Sequence, residues 1–173
     1  MLSFGFPPIS SPSARVLILG SLPGQLSLER GEYYANPHNS FWKILSTGIP
    51  DLPSSYSGRV EVLVKHHIAL WDVLAAATRS GSLDSAIAKD AIANNFRAFF
   101  NTHLHVRLIG FNGTKAARLY QRHVTPTLTD QQRLIATDSL PSTSPAHASL
   151  HFAQKAARWS RLWDARPWQQ TRS

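Results

Sequence analysis

At 173 residues and 43% hydrophobic composition, the chain is long enough for a sizeable core, and residues 1–173 read as a single domain. Eighteen Lys and Arg against 10 Asp and Glu leave a formal charge of +8, an excess that suits a phosphate polymer as partner and says nothing about fold. With no cysteine, disulfides and a cysteine-ligated iron–sulfur cluster are excluded; with no long apolar run and no basic-then-apolar leader, a soluble, cytoplasmic protein is expected.

Residues 1–13, with three prolines and four serines, read as an irregular lead-in. The apolar, branched run at 14–19 (Ala-Arg-Val-Leu-Ile-Leu) reads as a buried strand. It meets Gly20-Ser21-Leu22-Pro23-Gly24, where Pro fixes one torsion and Gly permits close approach of another group. A polar loop then closes on Tyr33-Tyr34 and on Asn36-Pro37-His38-Asn39, ahead of a helical run at 41–45 that Asn39 or Ser40 could cap. Residues 48–57 read as a loop, 58–65 as a short helix, and 66–74 as a second strand and its exit, with Asp72 either facing a pocket or capping the next segment.

Residues 81–84 read as a turn. Residues 90–100 read as an amphipathic helix burying Ile92, Phe96, Phe99 and Phe100. A third strand is expected at 103–111, followed by the Asn112-Gly113 pair and a helix at 115–122. A fourth strand is expected at 131–138, then a Ser- and Pro-rich loop, then a long helix to about Trp163 whose Lys155, Arg158 and Arg161 form a solvated face, with weak phosphate contact as the alternative. Strands alternating with helices at this spacing predict an α/β fold, a three-layer α/β/α sandwich around a central four-stranded, mainly parallel sheet.

A buried strand ending in a Pro-Gly turn, with aromatics and amides over that end, suits a pocket at the carboxyl edge of a parallel sheet. The turn is neither Gly-x-Gly-x-x-Gly nor a Lys-bearing phosphate loop, so nucleotide-cofactor binding is not expected. His147 and His151 stand four apart, with His103 and His105 elsewhere. The Glu of a His-Glu-x-x-His site is absent and no third ligand announces itself, so neither a metal nor any other cofactor is expected.

Four short motifs, spread over residues 14–152, carry a resemblance. Gly-x-x-Pro-Gly at 20–24 and the aromatic-x-x-Pro-x-Asn-x-Phe-Trp that begins at Tyr34 agree in content and spacing. Phe-Asn-Gly-x-x-Ala at 111–116 and Ser-Thr-Ser-Pro-Ala-His at 142–147 come next, in order. Together they resemble the uracil-DNA glycosylase superfamily, and within it the hypoxanthine (deoxyinosine) and mismatch-specific uracil/thymine branches.

The resemblance implies a DNA glycosylase that starts base excision repair by hydrolysing the N-glycosidic bond of deaminated bases, hypoxanthine or uracil. Such an enzyme extrudes the nucleotide, stacks its base and stabilises the charge on the leaving group. Tyr34 would be the stacking platform, while Ser21, Leu22, Pro23 and Gly24 would line the base pocket and Asp72 would contact the base or order the pocket. Uracil-specific members carry a bulky Tyr in the turn; Gly24 leaves that wall out, so the pocket should admit a purine. The mismatch-specific branch has an Asn at the position of Leu22 to place water, which Leu22 cannot do. Asn39 is then the expected catalytic or water-orienting amide, supported by Asn112. Ser142, Thr143, Ser144 and His147 would grip DNA, with His147 standing where the deoxyinosine branch has Asn. None of the specified motif letters is a lysine that could form a Schiff base, so no strand-cleaving step is predicted. The expected partner is DNA containing deaminated bases, engaged by a monomer. The competing readings are a catalytically silent DNA-binding protein with the same fold and a mismatch-specific uracil/thymine glycosylase.

Overall fold

The computed structural model describes residues 2–78 and 91–164. In chain order these form β1 (Leu2–Phe4), β2 (Val16–Gly20), α1 (Gln25–Arg30), α2 (Phe41–Gly48), α3 (Tyr56–Lys65), β3 (Ile68–Asp72), β4 (Leu74–Thr78) and β5 (Ile92–Ala93). There follow α4 (Phe96–Thr102), β6 (Leu108–Asn112), α5 (Thr114–Leu119), α6 (Asp130–Arg133), β7 (Ala136–Leu140), α7 (Phe152–Trp159) and α8 (Arg161–Asp164). A π-helical turn (Tyr120–Val124) and a 3-10 turn (Thr125–Thr127) join α5 to α6.

The central sheet has the order β3-β2-β6-β7 and every pair in it is parallel. All five residues of β2 are buried, as a strand covered on both faces requires. Alternation sends Leu17 and Leu19 to one face, where they pack with Phe96, Phe99 and Phe100 of α4 and Ala116 and Leu119 of α5. Val16 and Ile18 go to the other face, against Phe41, Ile44 and Leu45 of α2, Leu63 of α3 and Trp159 of α7. The three-layer α/β/α sandwich expected from the element pattern is the fold observed.

Several elements differ from their expected bounds. The lead-in is not irregular throughout: Leu2–Phe4 pairs antiparallel with β4, and β5 completes a second, three-stranded sheet. The loop after Gly24 contains α1, and the expected strand at 66–74 divides into β3 and β4, which belong to different sheets. The helix expected at 90–100 begins only at Phe96, because Asn95 caps it by accepting from Ala98 N–H at 3.0 Å. Ile92 consequently lies in a strand and is 59% exposed instead of joining the core. Residues expected to open the fourth strand form α6, whose Thr129 and Gln132 make a reciprocal capping box, and the strand starts at Ala136. The third strand likewise starts late, at Leu108, and the helix expected at 115–122 gives way to the π-helical turn after Leu119. The long last helix is broken after Trp159 into α7 and α8. The turn expected at 81–84 lies outside the described residues.

Candidate active site

Parallel strands in register end on the same edge of a sheet, and here they end on Gly20, Asp72, Asn112 and Leu140. These four terminal residues line one cavity of about 480 Å³. Its other walls come from the loops leaving those strands. The turn after β2 supplies Ser21, Leu22, Pro23 and Gly24; the segment before α2 supplies Tyr34 and Asn39; and the loop after β7 supplies Ser142, Thr143, Ser144 and His147. Every residue singled out in the sequence for the site thus borders the same space.

Gly20 is required where it stands. A Cβ built on it would lie 2.5 Å from Asp72 Oδ1 and 2.9 Å from Tyr34 Oη, so any side chain would push both groups out of the cavity floor. Asp72 is buried at the end of β3 and caps no helix, since β4 comes directly after it; the alternative capping role falls away. Its backbone carbonyl accepts from Asn94 Nδ2 at 2.8 Å.

Tyr33 and Tyr34 are adjacent in sequence and unlike in role. Tyr33 is a core residue: its hydroxyl donates to Pro7 O at 3.1 Å, and its carbonyl accepts from Trp42 Nε1 at 3.0 Å. Burial, and after it the Asp72 carboxylate, pushes its phenol well above the ordinary tyrosine range, so it stays neutral. Tyr34 has φ 55°, a left-handed conformation that costs a bulky residue roughly 1–3 kcal/mol. Its ring and its hydroxyl both help to hold it there. Its ring stacks on Phe41 with centroids 3.8 Å apart and planes at 18°, and its hydroxyl accepts from Asn112 Nδ2 at 3.0 Å.

Asn112 is the hub of the polar wall. Its Nδ2 also donates to Thr143 Oγ1 at 2.9 Å, and its Oδ1 accepts from Thr143 N–H at 2.9 Å. The Thr143 carbonyl in turn accepts from Ser40 N–H at 3.1 Å and Ser40 Oγ at 3.2 Å. Tyr34, Asn112, Thr143 and Ser40 therefore join the loop before α2, the end of β6 and the loop after β7 in one network. Thr143 is 1% exposed, with its side chain turned inward onto Asn112. Ser142 and Ser144 form successive turns, Ser142 Oγ accepting from Ser144 N–H and Ser144 Oγ from Ala146 N–H, both at 3.2 Å. No helix begins at these serines: α7 starts at Phe152, with His151 as its N-cap.

Gly113 next to Asn112 takes φ 93°, open to glycine, and a Cβ there would meet Ser142 Cβ at 3.1 Å. Leu22 is buried and packs into the core cluster, so it places no polar side-chain atom in the cavity. Among the described residues no group of three or more His, Asp or Glu converges as a metal site; His103 instead stacks on Phe99 at 3.8 Å. No described helix is long and apolar enough to cross a membrane. Sequence reasoning passes over Asn36, Ser27 and Lys115, which also line the cavity. Lys115 sits inside the Phe-Asn-Gly-x-x-Ala motif at an unspecified position, a place where a lysine could have been noticed. Asn36 likewise sits at an unspecified position, between Tyr34 and Pro37 of its motif, while Ser27 lies outside every motif.

A doubly covered parallel sheet with an aromatic and amide-walled cavity at its carboxyl edge defines an α/β enzyme fold with its site at the strand ends. Within that class, the sequence matches the Uracil DNA glycosylase superfamily over residues 7–165, and the chain belongs to that family. It is a DNA glycosylase acting on deaminated bases, and DNA is its substrate. A hypoxanthine DNA glycosylase of Methanosarcina barkeri is 41% identical over 114 residues, 65% of this chain and 72% of that protein. A second, from Methanosarcina acetivorans, is 38% identical over 118 residues, 67% of this chain and 74% of that protein. The solution NMR structure of a protein from Methanosarcina acetivorans, provisionally assigned as a uracil DNA glycosylase, superposes with a TM-score of 0.78. It is 34% identical and covers 95% of this chain and 98% of its own.

Proposed function

We propose that this glycosylase is monofunctional and prefers hypoxanthine, with Tyr34 as the platform on which the extruded base stacks. The supporting observation is the single cavity at the strand ends, where Tyr34, backed by Phe41, meets Asp72, Asn112 and Asn39. The two relatives named as hypoxanthine DNA glycosylases favour that base. Gly24 in the turn, where uracil-specific members carry a bulky side chain, agrees with a purine-sized pocket. On this reading Asn39 takes part in bond cleavage and Asn112 positions the pocket. Ser21 and the backbone of Leu22, Pro23 and Gly24 line the base site. Ser142, Ser144 and His147 contact the DNA backbone beside the flipped nucleotide, and Lys115 adds a cation at the wall. The protein works as a monomer in the cytoplasm, as one domain, without metal or cofactor.

The test uses end-labelled duplexes holding one deoxyinosine, deoxyuridine or mismatched thymine, treated with alkali after reaction. Alkali-dependent cleavage at deoxyinosine, faster than at deoxyuridine, is the expected result. Cleavage without alkali would defeat the monofunctional assignment. Preferential cleavage at mismatched thymine would favour the mismatch-specific reading. Binding with no product from any duplex would establish the catalytically silent alternative.

A further inference from the structure

Asn39 is held at two atoms before any substrate arrives. Its backbone N–H donates to Asn36 O at 2.9 Å, closing a turn. Its side-chain Oδ1 accepts from the N–H of Phe41, the first residue of α2, at 3.0 Å. A backbone N–H can only donate, so this bond fixes which end of the amide is which. The oxygen faces the start of the helix, and the Nδ2 group is the remaining end. Nδ2 makes no hydrogen bond among the described residues, while Asn39 borders the cavity. An amide whose oxygen accepts a hydrogen bond is polarised, which makes its N–H groups stronger donors. The bond also couples Asn39 to the positive end of the helix dipole.

We propose that Asn39 acts in the reaction as a hydrogen-bond donor to the departing base, not as the acceptor that orients the attacking water. The inference rests on the glycosylase reading and assigns the role of one residue within it. In the step concerned, the bond between C1′ and N9 of deoxyinosine breaks and both electrons pass to the purine. Water forms a new bond to C1′, and the proton it sheds ends on the released hypoxanthine. Asn39 transfers no proton. Its Nδ2 donates to an acceptor atom of the purine as negative charge accumulates there, the kind of contact that stabilises a developing anion.

Single-turnover excision of hypoxanthine, measured from pH ~8 to pH ~5 in wild type, Asn39→Ala and Asn39→Asp, separates the two roles. Asp keeps an oxygen to accept from Phe41 N–H, so this variant retains the cap that Ala loses and guards against a folding artefact. Asp72, Tyr33, Tyr34, Lys115 and His147 line the same cavity, so each variant's profile is read as a ratio to wild type at every pH. For a donor, Asn39→Ala lowers the rate roughly a hundredfold. Asn39→Asp is slower still at neutral pH, because a carboxylate repels the leaving anion, and recovers as acid protonates it. The opposite slope overturns the proposal: Asn39→Asp near wild type at neutral pH and falling on acidification, as a carboxylate that activates water would behave. Equal rates for Asn39→Ala and wild type would overturn it as well. Failure of the wild-type protein to cut any of the three duplexes would instead remove the glycosylase reading and this inference with it.

Discussion

Thr143 shows how much of the site depends on one buried hydroxyl. Replacing it with Val keeps its shape and its backbone bonds to Asn112 and Ser40 but removes the acceptor for one Asn112 Nδ2 proton. A buried donor left without its partner costs about 1–3 kcal/mol. Thr143→Val is therefore expected to lower stability by that amount in denaturant titration and to reduce kcat more than KM, since Asn112 also holds the Tyr34 hydroxyl. Thr143→Ser keeps the oxygen and gives up only a buried methyl, so it should cost about 1 kcal/mol and retain most of the turnover. Equal losses in the two variants would show that packing, not the hydrogen bond, matters at this position. The Thr143 letter is readable in its motif; that it turns inward can be read only once β6 and β7 are seen paired, Asn112 opposite Leu140.

Among the elements, α7 departs most clearly from its expected surface character. The sequence places Lys155 on a solvated face with Arg158 and Arg161, yet Lys155 is buried beside Trp159 while Arg158 is exposed and Arg161 pairs with Asp138 at 3.2 Å. Burial pushes the Lys155 ammonium below its ordinary value of 10.5. The unfolded chain then binds more protons than the folded one in the window just below pH 10.5, so stability rises with pH across that window. At neutral pH the folded state carries the full desolvation cost. Lys155→Met is expected to raise stability at pH ~7, an advantage that shrinks as the pH approaches 10.5. Unfolding titrations at the two pH values check the sign. Helical periodicity places α2 and the core of α4 correctly because their apolar stripes are continuous. It misplaces the start of α4 and the nature of α6, where Asn95 and Thr129 decide the boundary by capping, a local choice that an apolar pattern does not report.

For the whole molecule, a charge of +8 meets a polyanion, and binding should weaken linearly in log salt with a slope of about −0.9 for each phosphate contacted. Titrations of an abasic-site duplex from about 50 to 200 mM salt are expected to lose tenfold or more in affinity, and a flat response would count against phosphate contact by Lys115 and the exposed arginines. The family and the three-layer sandwich are already present in the linear order of letters, because buried parallel strands need unbroken apolar runs and strand-end motifs keep fixed spacing from them. Closing four parallel strands onto one edge does the rest. That closure brings residues 92 positions apart, Gly20 and Asn112, to the floor of one cavity and turns Thr143 from a surface letter into a buried clasp. It also orients the Asn39 amide through the first N–H of α2. Hydrogen-bond direction depends on which donor stands opposite which acceptor in space, and no spacing along a chain carries that.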